Sequence, residues 1–499
     1  MSKKYFKNWP LTRQLRGGFG VILASLILVL LFLKIVPNGQ IKYFRDFSQT
    51  PIIGRGFIAN LDPKDRVVVG DESYPQIIGD PAYFYVFTPR TFDRVDLKIT
   101  YQDNLSIDLP IIEAGVLMDK DLWQYNLQPL SNKFLDYLSL RWSKLEADDL
   151  LLLQETPHYS SLSDFQADLA KRSLAGCQQG LDNCLAVYNY DLPFDYQISN
   201  YQSRDPLEIK QLLQGPHQFY IYHAPGTLNL EVDFSRETAK SQLRPLELIL
   251  FSAGTELARE TISEAEFLAT ESRGEVNKIR LSVPNLPLGV YKVALKISDE
   301  TLIKRIYVTD SKLAFSGRLW LAKTDQEAPL ELFTDSNNLQ VKVMAADSLQ
   351  RIIFGEEELF LNSVYRQEEQ TIATTGLNRI FLERPGLILA NNGVFAFTKE
   401  SLFNPELKKV DRYFSIPSAP PYIIAKYQKP EEEERVKTAE LSFNLQGAQR
   451  DQGRYRFMIS VPGLRVEDPG QGGVEIQSVE LKFSGRTLGQ KIKSLLRHD

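Results

Sequence analysis

Histidine and cysteine are scarce in this chain, and their scarcity removes whole classes of chemistry. The 499 residues hold four histidines, His158, His217, His223 and His498, and two cysteines, Cys177 and Cys184. A structural zinc centre takes about four such ligands, and neither the number nor the spacing supplies them. There is no HExxH motif, no phosphate-cradling Walker loop and no dinucleotide fingerprint. A Gly-x-Ser-x-Gly nucleophile elbow is missing too. Nor is there an excess of one charge. The formal net charge is −5 with acids and bases interspersed, so no basic face for nucleic acid is expected. No cofactor, metal or nucleic-acid partner is assigned.

Long apolar runs are absent as well, with one exception at the N-terminus. Residues 17–36 are almost wholly apolar, interrupted only by Ser25 and Lys34, and follow a basic leader with Lys3, Lys4, Lys7, Arg13 and Arg16. About 20 apolar residues cross the hydrocarbon core as a helix. Lys34 lies near the end, where it can snorkel to the headgroups. A cleavable signal peptide would have a shorter apolar region and a small-residue site, which Ile35-Val36-Pro37-Asn38 lacks. A buried core helix would show a polar stripe. The expectation is a signal anchor over 17–36 with residues 1–16 cytoplasmic, the positive-inside orientation. The bulk would then be extracytoplasmic, in a single-pass protein of the plasma membrane.

With export, Cys177 and Cys184 read as one local disulfide around the turn-rich segment between them. What the chain has in plenty is aromatic and β-branched residues: 22 Tyr and 28 Phe, with aromatics at 11%. From Ala82 onward, alternating segments bounded by turn residues dominate. Val95, Leu97, Ile99 and Tyr101 give the clearest case of one buried and one wet face.

The fold class is therefore mainly β: an N-terminal transmembrane helix followed by about three tandem β-sandwich domains of immunoglobulin-like or jelly-roll type. The expected divisions are a stalk over 37–78, broken by Pro51, Gly54, Gly56, Pro63, Gly70 and Pro75. A sandwich with an inserted helix follows over 79–212, then an immunoglobulin-like sandwich over 213–312 and a jelly-roll-like unit over 313–485. A short basic amphipathic helix over 486–499 ends the chain. The inserted helix is placed at 163–174, with Ser163 as its cap and Phe165, Leu169 and Leu174 on one face. Residues 138–142 and 150–155 read as strands. In the third division, 314–425 and 436–485 read as one jelly roll, because the terminal piece has too few strands for its own core. The pattern Leu286-x-x-Gly289-x-Tyr291-x-Val293-x-Leu295 suits a tyrosine at a sandwich corner. Gly453-x-Tyr455-x-Phe457 echoes it. The run Glu431–Glu434 reads as a solvated charge run.

Catalytic candidates are weak. Glu113 with Asp119, Asp148 with Asp149, and Glu356 to Glu358 are paired carboxylates of the kind glycoside hydrolysis uses, but 63 acids produce such pairs by composition alone. Asp325-Gln326-Glu327 alone does not show the six to eight oxygens calcium needs. Aromatics are the better lead, since sandwich modules lay sugar rings on Trp or Tyr faces. Trp123 and Tyr125, in a polar loop-like segment, are the expected ligand-binding residues. Trp142 and Trp320 are further candidates, though a tryptophan on an alternating strand is usually core. The expected function is a membrane-anchored binding or structural protein of the cell envelope that recognises glycan or protein without turnover. The alternatives are a polysaccharide-processing enzyme and an extracytoplasmic subunit of a membrane complex.

Overall fold

The structure is a computed structural model. It describes residues 18–28 and 39–485, apart from 49–56, 70–73, 178–180, 193–195, 199, 204, 237–244, 264, 268–276, 325–327, 375 and 415. The chain is mainly β, with 53% strand and 10% helix, as the alternation implied. It separates into two compact units. One comprises residues up to Met118, Tyr125–Lys133 and those from Lys429 on; the other comprises Asp119–Gln124 and Phe134–Gln428.

The first unit is a β-sandwich. Strand Arg94–Leu105 lies between Gly472–Ser484 and Val436–Asn444, antiparallel to both. Val95, Leu97, Ile99 and Tyr101 alternate along it and are no more than 1% exposed. The facing sheet holds Ala82–Phe87, Arg454–Ser460, Ile111–Asp119 and Gln124–Asn132. Its Phe84, Val86, Val116, Phe457 and Ile459 join the same core. Each such side chain contributes about 1.5–3 kcal/mol on burial.

This pairing corrects the expected divisions. Residues 436–485 do not complete a jelly roll with 314–425. They pair with strands that begin near residue 82, because their alternating faces close that earlier core. Nor is 37–78 a stalk along its described length. Gln40–Asp46 pairs residue for residue with Ser478–Ser484, and Ile58, Leu61, Val67 and Ile77 are buried in the same core. Proline and glycine break long elements here, yet the short apolar pieces between them still fit the sandwich edges. The glutamate run forms the edge strand Glu431–Glu433, exposed throughout, where charge discourages further pairing. Tyr455 does not repeat the Tyr291 arrangement: its hydroxyl accepts the N–H of Phe92, 363 residues away in sequence, at 3.5 Å.

Residues 18–28 are helical, with large apolar side chains open to the surroundings: Phe19 is 72% exposed and Leu28 66%. Eleven residues span roughly 16 Å, about half the hydrocarbon thickness. No helix among the described residues is long and apolar enough to cross a membrane, so the expected spanning helix over 17–36 is not shown. Residues 29–36, the leader and the expected helix over 486–499 lie outside the described residues.

In the second unit, a small mixed sheet combines Ser143–Ala147, Leu150–Gln154, Tyr422–Lys426, Leu185–Tyr188 and Lys408–Lys409. Helix Leu162–Ala170 packs on it through Phe165 and Leu169. Its cap is Ser161, whose hydroxyl accepts the Asp164 N–H at 3.1 Å; the expected cap Ser163 lies inside the helix. Leu174 is buried in the same core but beyond the helix end. Residues 138–142 are not a strand: helix Lys133–Ser139 turns its apolar Phe134, Leu135 and Leu138 inward and ends in a turn at Arg141. Cys177 and Cys184 form the expected disulfide, with Cα atoms 5.9 Å apart.

The rest of this unit is a long run of antiparallel strands. His217–His223, Gly289–Lys296, Leu246–Ser252 and Thr255–Ile262 make one sheet; Gly226–Arg236, Asn277–Leu286 and Thr301–Val308 make the facing one. Tyr291 occupies a corner, and its hydroxyl donates to the Pro287 carbonyl at 2.9 Å. Lys312–Leu321 then does two jobs. Its first half pairs with His217–His223 and its second with Leu387–Ala396, so one strand runs from this sandwich into the next set of sheets.

Candidate functional site

Strands Ile111–Asp119 and Gln124–Asn132 are joined by a tight turn. Asp119 builds that turn. Its carboxylate accepts the N–H groups of Asp121 at 2.9 Å and Leu122 at 3.0 Å, an aspartate turn that leaves the chain little freedom. Lys296 adds an ion pair at 2.5 Å. Burial works to raise the Asp119 carboxyl, but Lys296 and the two N–H donors outweigh it and hold the group below the usual carboxylate range. Trp123 takes the last turn position with φ of 52°. Its side chain is 51% exposed. A bulky residue in left-handed backbone is uncommon and marks strain at a site worth attention.

The residues flanking Trp123 line a pocket of about 280 Å³ in the second unit. Asp121, Leu122 and Gln124 form one side; Pro216, His217, Gln218, Ser316, Gly317 and Arg318 form the other. The second side is shaped by an irregularity in strand Lys312–Leu321. The register shifts between Ser316 and Arg318, and Gly317 has φ of 70°. Such bulges re-aim neighbouring side chains.

His217 lies at the pocket wall but is fully committed. Its Nδ1 is 2.9 Å from the Gly215 carbonyl, and its Nε2 accepts the Trp320 N–H at 3.2 Å. Only the neutral tautomer with the proton on Nδ1 satisfies both. Burial pushes its pKa down to about 3. It is a structural strut, not a general base.

Arg318 is the opposite case. Its Nε is buried without a hydrogen-bond partner, and it makes no ion pair among the described residues. The Trp320 ring, 5.4 Å from the guanidinium carbon, is its neighbour. Burial lowers its pKa, partly offset by the field of Asp299.

The aromatic candidates separate. Trp123 sits at the turn. Tyr125 belongs to the first unit, where its ring stacks on Tyr83 with centroids 6.2 Å apart and Arg456 lies 3.9 Å over the Tyr83 ring. The Tyr125 hydroxyl is buried with no partner, and burial raises its pKa. Trp320 is 8% exposed and packs over Gly215; it is core, not a platform. Trp142 is half-buried just before a strand.

The carboxylate pairs do not converge on a reaction centre. Asp119 is bound to Lys296, Asp149 pairs with Lys426 at 3.2 Å, and Glu358 pairs with Arg351 at 3.0 Å; the last two pairs are at the surface. Among the described residues, no group of three or more His, Cys, Asp or Glu is placed to hold a metal ion. Asp325-Gln326-Glu327 lies outside them. His223 and Asp310 form a buried pair, Nδ1 to Oδ2 2.7 Å, and Asp310 also accepts the Ala224 N–H at 3.1 Å. Neither residue lines the pocket, and the pair reads as a polar pin in the sandwich.

Sequence reasoning missed Arg318, Gln124 and Gln218. The one available signal was Gly317 inside a strand segment, a common mark of a bulge.

No family model matches the chain, and no curated protein matches it. Several solved structures are distantly similar, among them the following three. Dimeric latent PorU from Porphyromonas gingivalis aligns at 10% identity and a TM-score of 0.16, over 62% of this chain and 32% of that one, so this chain spans about a third of its length. The plant receptor-like kinase FER aligns at 8% identity and 0.15, over 58% and 91%. The tandem CBM22 modules of Paenibacillus barcinonensis Xyn10C align at 8% and 0.14, over 59% and 98%. At these TM-scores the similarities carry no argument about fold or function.

Proposed function

We propose that this is a membrane-anchored, extracytoplasmic binding protein of the cell envelope, which recognises a glycan at the Trp123 turn and does not turn it over. One observation carries the reading. Trp123 is half-exposed on a turn pinned by Asp119, and its sequence neighbours on both sides line a pocket with amide and hydroxyl groups. A rigid aromatic ring beside a few polar groups is what binding a sugar face requires. The exposed apolar helix over residues 18–28 supports the anchor, because such a surface is stable in lipid and costly in water. The immunoglobulin-like character of residues 217–308 rests on the Tyr291 corner and the two facing sheets.

The test is a glycan array probed with the full chain. A truncation before residue 78 would remove strand Gln40–Asp46 and four core residues of the first unit. Binding of at least one glycan class, weakened in Trp123→Ala, is the expected result. Release of reducing ends from a bound polysaccharide would overturn the non-enzymatic reading.

A further inference from the structure

The pocket beside Trp123 is lined by a cation that makes no ion pair among the described residues. Arg318 is largely withdrawn from water, its Nε has no hydrogen-bond partner, and among the described residues Asp299 acts on it only through its field, without an ion pair. Several other arginines of this unit meet carboxylates. Arg305 meets Asp233 and Glu208, Arg259 meets Glu247 and Glu256, and Arg412 meets Glu369. A desolvated, unpaired guanidinium is costly, and such groups are otherwise paired. Of the arginines with a partnerless buried Nε, Arg318 is the one that lines this pocket, where a partner from outside the folded chain can reach it.

We infer that Arg318 receives an oxyanion, the carboxylate of an acidic sugar, in a ligand whose ring face lies on Trp123. Three features fit. The planar guanidinium offers donors in a fork that matches a carboxylate bidentately. Trp320 backs the guanidinium at 5.4 Å, which holds its plane. Ser316, Gln124 and Gln218 line the same pocket and can donate to or accept from ring hydroxyls. Asp121, the acid in the lining, already has a partner within the protein. His217 cannot compete for the anion, because both its nitrogens are engaged.

This inference rests on the glycan reading above, and the experiment separates the two. The full chain is titrated calorimetrically with oligogalacturonates, with the same oligomers as methyl esters, and with citrate and sulfate alone. The expected result is at least tenfold tighter binding of the charged oligomer than of its ester. That preference should vanish in Arg318→Gln, while Trp123→Ala should weaken both forms alike. The wild-type chain supplies a second measurement should Arg318→Gln fail to fold: raising NaCl from 50 to 500 mM should weaken the charged oligomer and spare the ester. Equal binding of acid and ester overturns the anion site and leaves the glycan reading standing. Citrate or sulfate binding that depends on Arg318, without any oligomer binding, supports the anion site, assigns it to free anions and overturns the acidic-sugar assignment. No binding of any probe overturns the anion site, and the glycan array decides the glycan reading separately.

Discussion

His217 and Trp320 are joined by a backbone-to-ring hydrogen bond: the Trp320 N–H donates to His217 Nε2 at 3.2 Å. The Gly215 carbonyl accepts the hydrogen bond from Nδ1–H, so the imidazole holds both contacts only while it is neutral. Protonation would aim a second N–H at the Trp320 N–H and break the bridge.

This arrangement predicts acid sensitivity with a defined sign. In the unfolded chain His217 titrates near 6.5, whereas in the folded chain burial lowers it to about 3. Between those values the unfolded state binds the extra proton. The stabilisation is therefore complete above pH 6.5 and is lost progressively as pH falls toward 3, by about 1.4 kcal/mol per pH unit. Denaturant unfolding at pH 7 and pH 5 should show about 2 kcal/mol of loss attributable to this residue. His217→Gln should show a correspondingly flatter response. An unchanged pH slope in the variant would remove His217 as the cause.

Asp310 accepts from both His223 and Ala224 inside the sandwich, with each residue of the acid–histidine pair nearly inaccessible. Asp310→Ala orphans the buried His223 Nδ1–H, at about 1–3 kcal/mol, and the half-buried Ala224 N–H at less. A drop in melting temperature of many degrees is expected, with Asp310→Asn falling less because it retains an acceptor. If Asp310→Ala melts like the wild type, the pair is not a structural pin.

Tyr291 should behave as a corner tyrosine. Its ring is buried and its hydroxyl reaches the Pro287 carbonyl. Tyr291→Phe keeps the packing and loses one hydrogen bond, so about 1 kcal/mol is expected from urea titration. A loss no larger than that of an exposed control such as Tyr365→Phe would show that the corner bond contributes nothing.

Trp123 is expected to divide binding from stability. Because the side chain is half-exposed and its left-handed backbone is held by Asp119, Trp123→Ala should change stability by less than about 1 kcal/mol. Glycan affinity should fall severalfold, since an aromatic contact is worth about 0.5–1.5 kcal/mol beyond its area. A large loss of melting temperature with intact binding would place Trp123 in the structural framework instead.

Local pattern determined a good deal of this protein. Alternation at Val95, Leu97, Ile99 and Tyr101 marks a strand with one buried face, because side chains on an extended chain project to opposite sides in turn. The glycine and tyrosine spacing at Gly289 and Tyr291 marks a corner, and seven residues of separation bring Cys177 and Cys184 within disulfide reach. Each of these depends on neighbours only a few residues away. Pairing partners do not. Gly472–Ser484 lies against Arg94–Leu105 and Gln40–Asp46 across hundreds of residues, and nothing in any of the three segments names the others. Their match is a property of the assembled core, set by which faces remain to be covered. The same holds at the pocket. Arg318 reads in sequence as an ordinary charge in a strand, and Trp320 as a possible platform. Only the folded chain decides that the tryptophan is buried and the arginine is left without a carboxylate, because both outcomes depend on what packs around them.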